Sequence, residues 1–343
     1  MRKEDRIIND LKSLFDKNGY RYYKMRKFEE YSLYMENKNF LSNEYIITFN
    51  HNGKLLALKP DVTLSIVKNA KACVGNTEKL YYREGVFRYD RKSHEYKEVN
   101  QIGLEVMGNI DITTDCEIMS LAMKSLSLIS DKYVLCISNT GIISGIFDYL
   151  KITSYDLKSK IINCIKEKSK HSLEGILNEA SVSEEGRKMF LELFEGKIPF
   201  IEETKEAMDN LNKTFECMSA LGFKENIKID FSIINDLDYY TGTVFNGFID
   251  GIPKSILSGG RYDGLVEKFG AKVNAEGFAI YLDDLLYLDE KEEFDADVLL
   301  LYSEASNPVE VLKKAEEIVS MGESVRIDTK IPENAKFKRK ETV

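Results

Sequence analysis

The 343-residue sequence predicts an α+β fold, a mainly antiparallel sheet with surrounding helices followed by a small α/β piece. Three observations carry this expectation. Extended runs with period-two alternation recur at 79–89, 99–107 and 227–233; residues 140–222 read almost wholly as helix; and one strand–helix–strand pattern closes the chain. Hydrophobic residues make up 43% of the chain and there are only 5 prolines, so a large core over residues 1–290 and a short second unit over 295–343 are both feasible.

The elements follow in order. Ile7, Ile8, Leu11, Leu14 and Phe15 share one face of an opening helix. Residues 45–49 and 55–59 form a hairpin around Asn52-Gly53, a pair suited to left-handed turn positions. Pro60 stops the second strand, and Asp61 is placed to cap a helix running to about residue 70. Two strands, 79–89 and 99–107, flank a polar loop over 91–97. A helix follows, with Asp115 near its start and Ile118, Leu121, Ala122 and Leu126 facing inward, and then a buried strand over 133–137. After the helical region, Ile227, Ile229, Phe231 and Ile233 alternate as a strand that leads into 237–245. A helix is expected over 277–288, a charged linker over 289–295, and then strand 296–302, helix 308–321 and strand 324–328.

Several classes are disfavoured by composition. Net charge is -9, and the one basic run, residues 336–340, reads as a solvated tail, so no face suits a nucleic-acid backbone. The five cysteines, Cys73, Cys116, Cys136, Cys164 and Cys217, are scattered among apolar neighbours and read as buried, reduced thiols. No stretch approaches 18 apolar residues, so a soluble, cytoplasmic protein without membrane contact is expected. His51, His94 and His171 lie far apart, leaving no metal cluster, no cofactor site and no nucleophilic triad.

The chemistry concentrates in residues 99–107. Ile102, Leu104 and Val106 share one parity; Gln101, Gly103 and Glu105 share the other. An amide and a carboxylate with a glycine between them suit an ammonium or imidazole guest in an open space. By themselves these residues fit a solvated strand face equally well.

Four segments decide between the two: 82–88 (YREGVFR), 101–105 (QIGLE), 237–245 (LDYYTGTVF) and 258–265 (SGGRYDGL). Together they resemble the catalytic core of histidyl-tRNA synthetase, a class II aminoacyl-tRNA synthetase, over about residues 1–290. The resemblance implies the class II antiparallel sheet, with the C-terminal domain of that family reduced to a truncated segment. It implies a histidine site of Asp61, Thr63, Arg88, Gln101, Glu105, Tyr239 and Tyr240, with Gly259 and Gly260 allowing close approach. Lys59 stands where the family usually has arginine, which keeps the charge but loses the planar fork.

The resemblance breaks where nucleotide chemistry needs cations. Asn235 replaces an arginine before the Tyr-Tyr segment, Asp284 replaces another in the last motif, and Tyr281 replaces a glycine. Losing one stabilising donor typically costs about 100- to 1000-fold in rate. A carboxylate about 4 Å from a phosphate charge adds roughly 4 kcal/mol of repulsion at an effective dielectric near 20. A kept histidine pocket beside a degenerate ATP site is similar to the regulatory subunits of ATP phosphoribosyltransferase. That likeness implies a non-catalytic chain that binds L-histidine and controls a short-form catalytic subunit in the first step of histidine biosynthesis. It further implies a homodimer within a hetero-oligomer such as an octamer, with tRNA not a partner. A divergent histidyl-tRNA synthetase and a histidine-binding protein with another partner remain the alternatives.

Overall fold

The computed structural model describes residues 3–35, 46–69, 75–90, 93–234, 239–270, 273–288, 294–333 and 335–343. The chain forms two compact units, Met1–Leu288 and Asp289–Val343.

In the first unit, helix α1 (Lys3–Lys17) buries Ile7, Ile8, Leu11 and Phe15, as its spacing predicts. After strand β1 (Arg21–Tyr22), a small sheet is built from β2 (Phe28–Glu30), β3 (Thr48–His51) and β4 (Lys54–Leu58), with the short helix α2 (Ser32–Met35) after β2. Its hairpin turns at Asn52 and Gly53, with φ of 49° and 76°, the left-handed pair that such a turn demands. Helix α3 (Val62–Asn69) starts after Pro60, and β5 (Glu78–Asp90) and β6 (Glu95–Gly108) make a long hairpin. The loop expected over 91–97 is shorter, because β6 begins at Glu95 and pairs it with Asp90.

Helix α4 (Ile112–Ile129) is capped by Asp111, which accepts from Thr114 N, and β7 (Tyr133–Asn139) follows. The helical region comprises α5 (Thr140–Tyr149), α6 (Tyr155–Lys166), α7 (Lys170–Glu179), α8 (Glu184–Phe194) and α9 (Glu202–Met218). α5 presses against α9 at Gly141 and Gly145, where any side chain would overlap Ala207 or the Glu203 backbone.

Strand β8 (Ile227–Ile229) is shorter than the alternation suggests. Asp230 accepts from Ser232 N and Oγ at 2.9 and 2.6 Å, and this local cap turns Phe231–Ile233 into a 3-10 helix. Then come β9 (Thr243–Ile249), β10 (Leu257–Arg261), α10 (Asp263–Lys268) and β11 (Asn274–Tyr281). The helix expected over 277–288 is therefore half wrong. Residues up to Tyr281 pair with both β6 and β10, and only Leu282–Leu288 coils, as a 3-10 helix. Short apolar runs fit either period, and here sheet pairing decides.

The main sheet runs β1-β5-β6-β11-β10-β9-β7-β8, antiparallel except for the parallel pairs at its two edges. Ile102, Leu104 and Val106 join the core formed with α1 and α4 on one face, which leaves Gln101, Gly103 and Glu105 on the other.

The second unit contains β12 (Ala296–Leu301), α11 (Pro308–Ser320), β13 (Val325–Asp328) and β14 (Phe337–Thr342), with parallel order β13-β12-β14. The basic run read as a tail is this last strand. Lys338 pairs with Asp297 and Arg339 with Glu323 and Glu341, so outward charges masked a strand held by its backbone. Cys116, Cys136 and Cys164 are buried free thiols and Cys217 is half-buried; Cys73 lies outside the described residues.

Lys59 is fully buried. Its Nζ lies 3.0 Å from Glu84 Oε2, while Glu84 Oε1 accepts from Met25 N at 3.1 Å. Burial pulls the ammonium below its ordinary pKa, and Glu84 opposes that shift. Glu84→Ala, which strands Lys59 as an unpaired buried charge, is expected to cost about 3–5 kcal/mol in chemical denaturation, with Lys59→Met/Glu84→Leu recovering most of it.

Candidate functional site

The polar face of the main sheet holds a cavity of about 260 Å³. Register assembles it: Gln101 lies opposite Tyr281 across β6 and β11, Gly103 opposite Ala279, and Glu105 opposite Gly277. Asp61, Thr63, Arg88, Gln101, Glu105, Tyr239 and Tyr240, all expected from the sequence, line this one cavity.

Glu105 sits at its base, 2% exposed. Thr63 Oγ1 donates to its Oε1 at 2.9 Å, and Tyr262 Oη donates to its Oε2 at 2.5 Å. Burial pushes the carboxyl pKa up to about 8, against the lowering effect of those two bonds. Asp61 has two duties. Its Oδ1 accepts from Leu64 N at 2.9 Å, capping α3, and its Oδ2 lies 3.5 Å from Arg88. The Arg88 Nε donates to Pro60 O at 3.0 Å, fixing the guanidinium at the rim. The Tyr239 and Tyr240 rings meet edge to face at 4.7 Å, and Tyr239 lies 6.0 Å from Tyr262. Burial raises both phenols well above their ordinary value, so they stay neutral donors.

Three sequence expectations need correction. The space beside Gly103 is not open, because the Tyr82 hydroxyl and the Phe278 carbonyl fill it. The needed gap is at Gly277, where any side chain would overlap the Glu105 carboxylate. Gly259 faces the core against Phe245 and Phe278, leaving only Gly260 beside Tyr240. Asp284 does not point a bare charge at the cavity: it is buried, and Lys254 Nζ neutralises it at 2.8 Å. The repulsion term assigned to it therefore falls away, while the absence of a cation at 284 stands. Tyr281 does line the cavity; Asn235 lies outside the described residues.

Tyr82, Ser258 and Tyr262 also line the cavity without having been singled out. Period two could have found Ser258 and Tyr262, which share the parity of Gly260. Among the described residues, no group of three or more His, Cys, Asp or Glu side chains could hold a metal ion, and no helix is long and apolar enough to cross a membrane.

The histidyl-tRNA synthetase family model matches residues 1–285. The chain belongs to the histidyl-tRNA synthetase family. Among its relatives in that family is the ATP phosphoribosyltransferase regulatory subunit of Clostridium botulinum strain Langeland, 28% identical over 334 residues and covering 90% of this chain and 78% of that one. A histidine–tRNA ligase of Methanocaldococcus jannaschii is 27% identical over 316 residues, covering 88% and 76%. A solved structure from Bacillus halodurans, described as an ATP phosphoribosyltransferase regulatory subunit/histidyl-tRNA synthetase, superposes with a TM-score of 0.79 at 20% identity, covering 99% of this chain and 93% of that one. The synthetase of Nostoc sp. PCC 7120 gives 0.78 at 19%, covering 96% and 83%. These structures establish the class II synthetase-like fold. The likeness to regulatory subunits read from the sequence agrees with the names of the relatives.

The raised Glu105 carboxyl ties stability to pH. The folded chain binds this proton more tightly than the unfolded chain, so stability is full below about pH 4.5 and declines as pH rises through about 8. The loss is at most about 5 kcal/mol for a shift of this size. Glu276, fully buried on the opposite face of the sheet, acts with the same sign. In thermal melts from pH 4 to 9, Glu105→Gln is expected to flatten the decline without abolishing it; an unchanged slope would remove Glu105 as a contributor.

Proposed function

We propose that this chain is a non-catalytic, histidine-binding regulatory subunit that controls a short-form ATP phosphoribosyltransferase catalytic subunit in the first step of histidine biosynthesis. One observation carries the reading. A cavity that places Asp61 beside Arg88 at one end and Glu105 at the other lies near a motif whose residue 284 is an acid already paired with Lys254.

The Asp61–Arg88 pair matches an amino-acid zwitterion. The α-ammonium replaces Arg88 as the partner of Asp61, assisted by Thr63 and Gln101, and the carboxylate takes up Arg88. The ring then lies among Glu105, Tyr239, Tyr240 and Tyr262. Four charge-assisted bonds at about 1.5–3 kcal/mol each, less the entropy of association, give roughly micromolar to sub-millimolar affinity, a range suited to feedback.

Adenylation is a different matter. Charge develops on the α-phosphate as pyrophosphate leaves, and fixed cations supply much of the stabilisation. Arg88 is in place, but residue 284 supplies no second cation. Nothing else about the cavity requires nucleotide chemistry, and the relatives named as regulatory subunits support a role without it. The relative named as a histidine–tRNA ligase favours a second reading, a divergent synthetase. Regulation needs histidine to distinguish two states of an assembly by about 1–3 kcal/mol.

Calorimetry should show L-histidine binding to the wild type and none to Glu105→Ala, with both chains folded by circular dichroism. Histidine-dependent ATP–pyrophosphate exchange should be absent; measurable exchange would favour the synthetase reading instead. Mixing with a short catalytic subunit should give a stable complex whose phosphoribosyl transfer responds to histidine. Failure to associate at micromolar concentrations would point to a different partner.

A further inference from the structure

We infer that Glu105 delivers its proton to the side-chain ring of the bound amino acid, so that the cavity selects a guest with a basic ring nitrogen and holds that ring as a cation. This deepens the histidine-binding reading and rests on it.

Two carboxyl groups, Asp61 and Glu105, share the cavity with one guanidinium, and Arg88 is committed to Asp61 and to Pro60 O. Among the described residues, the other titratable groups facing Glu105 are the phenols of Tyr82, Tyr239, Tyr240 and Tyr262, each kept protonated by burial. The bonds that Glu105 receives, from Thr63 and Tyr262, come from neutral hydroxyls. An ionised Glu105 would thus be a buried carboxylate with a second carboxylate nearby and, among the described residues, no counter-ion of its own, which is costly. In the empty cavity it is an acid, consistent with a pKa raised to about 8. As an acid it still accepts both hydroxyl bonds and gains one O–H donor.

A neutral imidazole brought against that O–H completes the exchange. The Glu105 O–H bond breaks, a ring N–H bond forms, and acid plus neutral ring become carboxylate plus imidazolium. No proton is traded with solvent near neutrality. Below about pH 6.5 the free ring already carries a proton, so binding must release one. Above the Glu105 pKa the site has lost its proton, so binding must take one up.

Calorimetry of the full chain with L-histidine, in paired buffers of different ionisation enthalpy, reads this directly. Expected are release of about one proton at pH 5.5, little exchange near 7, and, at pH 9, uptake of about one proton beyond that taken up by the guest's own α-amino group. ¹⁵N NMR of labelled histidine should show both ring nitrogens protonated in the complex at pH 7.5. 1,2,4-Triazole-3-alanine, similar in shape and far less basic, should bind at least about tenfold more weakly. In Glu105→Gln, any residual binding should take up about one proton fewer than the wild type at pH 9, leaving only the uptake of the guest's α-amino group. A bound neutral ring, or wild-type uptake at pH 9 no greater than that of the α-amino group alone, would overturn the proton transfer and leave histidine binding intact. No binding at all would overturn the underlying reading as well.

Discussion

The carboxyl of Glu105 lies on a central strand, shielded from water and held by two hydroxyls, and much of the surrounding architecture exists to keep it there. A group of this kind is tolerated only where donors reach both oxygens and no backbone intrudes. Thr63 must therefore arrive from the start of α3, and Tyr262 from the end of β10, elements far apart in sequence. Gly277 must lie opposite on β11, since a methyl group there would strike the carboxylate. Register along three strands, a helix start and a strand end are thus fixed by a single side chain.

The two faces of the sheet divide the work. The face carrying Ile102, Leu104 and Val106 is closed by α1 and α4 into one large apolar core, which gives the strands their rigidity. The opposite face spends that rigidity on polar groups. Tyr240 lines both the ligand-sized cavity and a separate, larger polar hollow of about 520 Å³ that reaches Asn139, Asn210 and Glu206 near the α5–α9 contact. Asn210 accepts from Thr243 Oγ1 at 2.9 Å and donates to Asp115 at 3.2 Å, so α9 is bonded both to the strand following Tyr240 and to α4.

Much of this was legible in the sequence, for identifiable reasons. Period-two alternation put Gln101 and Glu105 on one face and the core residues on the other, because strand geometry admits no alternative. Asp61 was readable as a helix cap from Pro60 before it and the apolar run after it. The misreadings share a cause: they depended on partners distant in the chain. Residues 277–281 look helical until paired with β6 and β10. The opening beside Gly103 closes only when Tyr82 of β5 is laid across it. The basic run near the C-terminus looks solvated until β12 supplies the backbone bonds. The charge on Asp284 looked exposed because Lys254, thirty positions earlier, gives no local sign of its destination.

That last pairing constrains what position 284 can hold. Asp284 is nearly enclosed, and its ammonium partner approaches to 2.8 Å. An arginine substituted there would bring a second cation against Lys254, a repulsion where there had been attraction. A cation at 284 is therefore compatible with this surface only together with a change at Lys254.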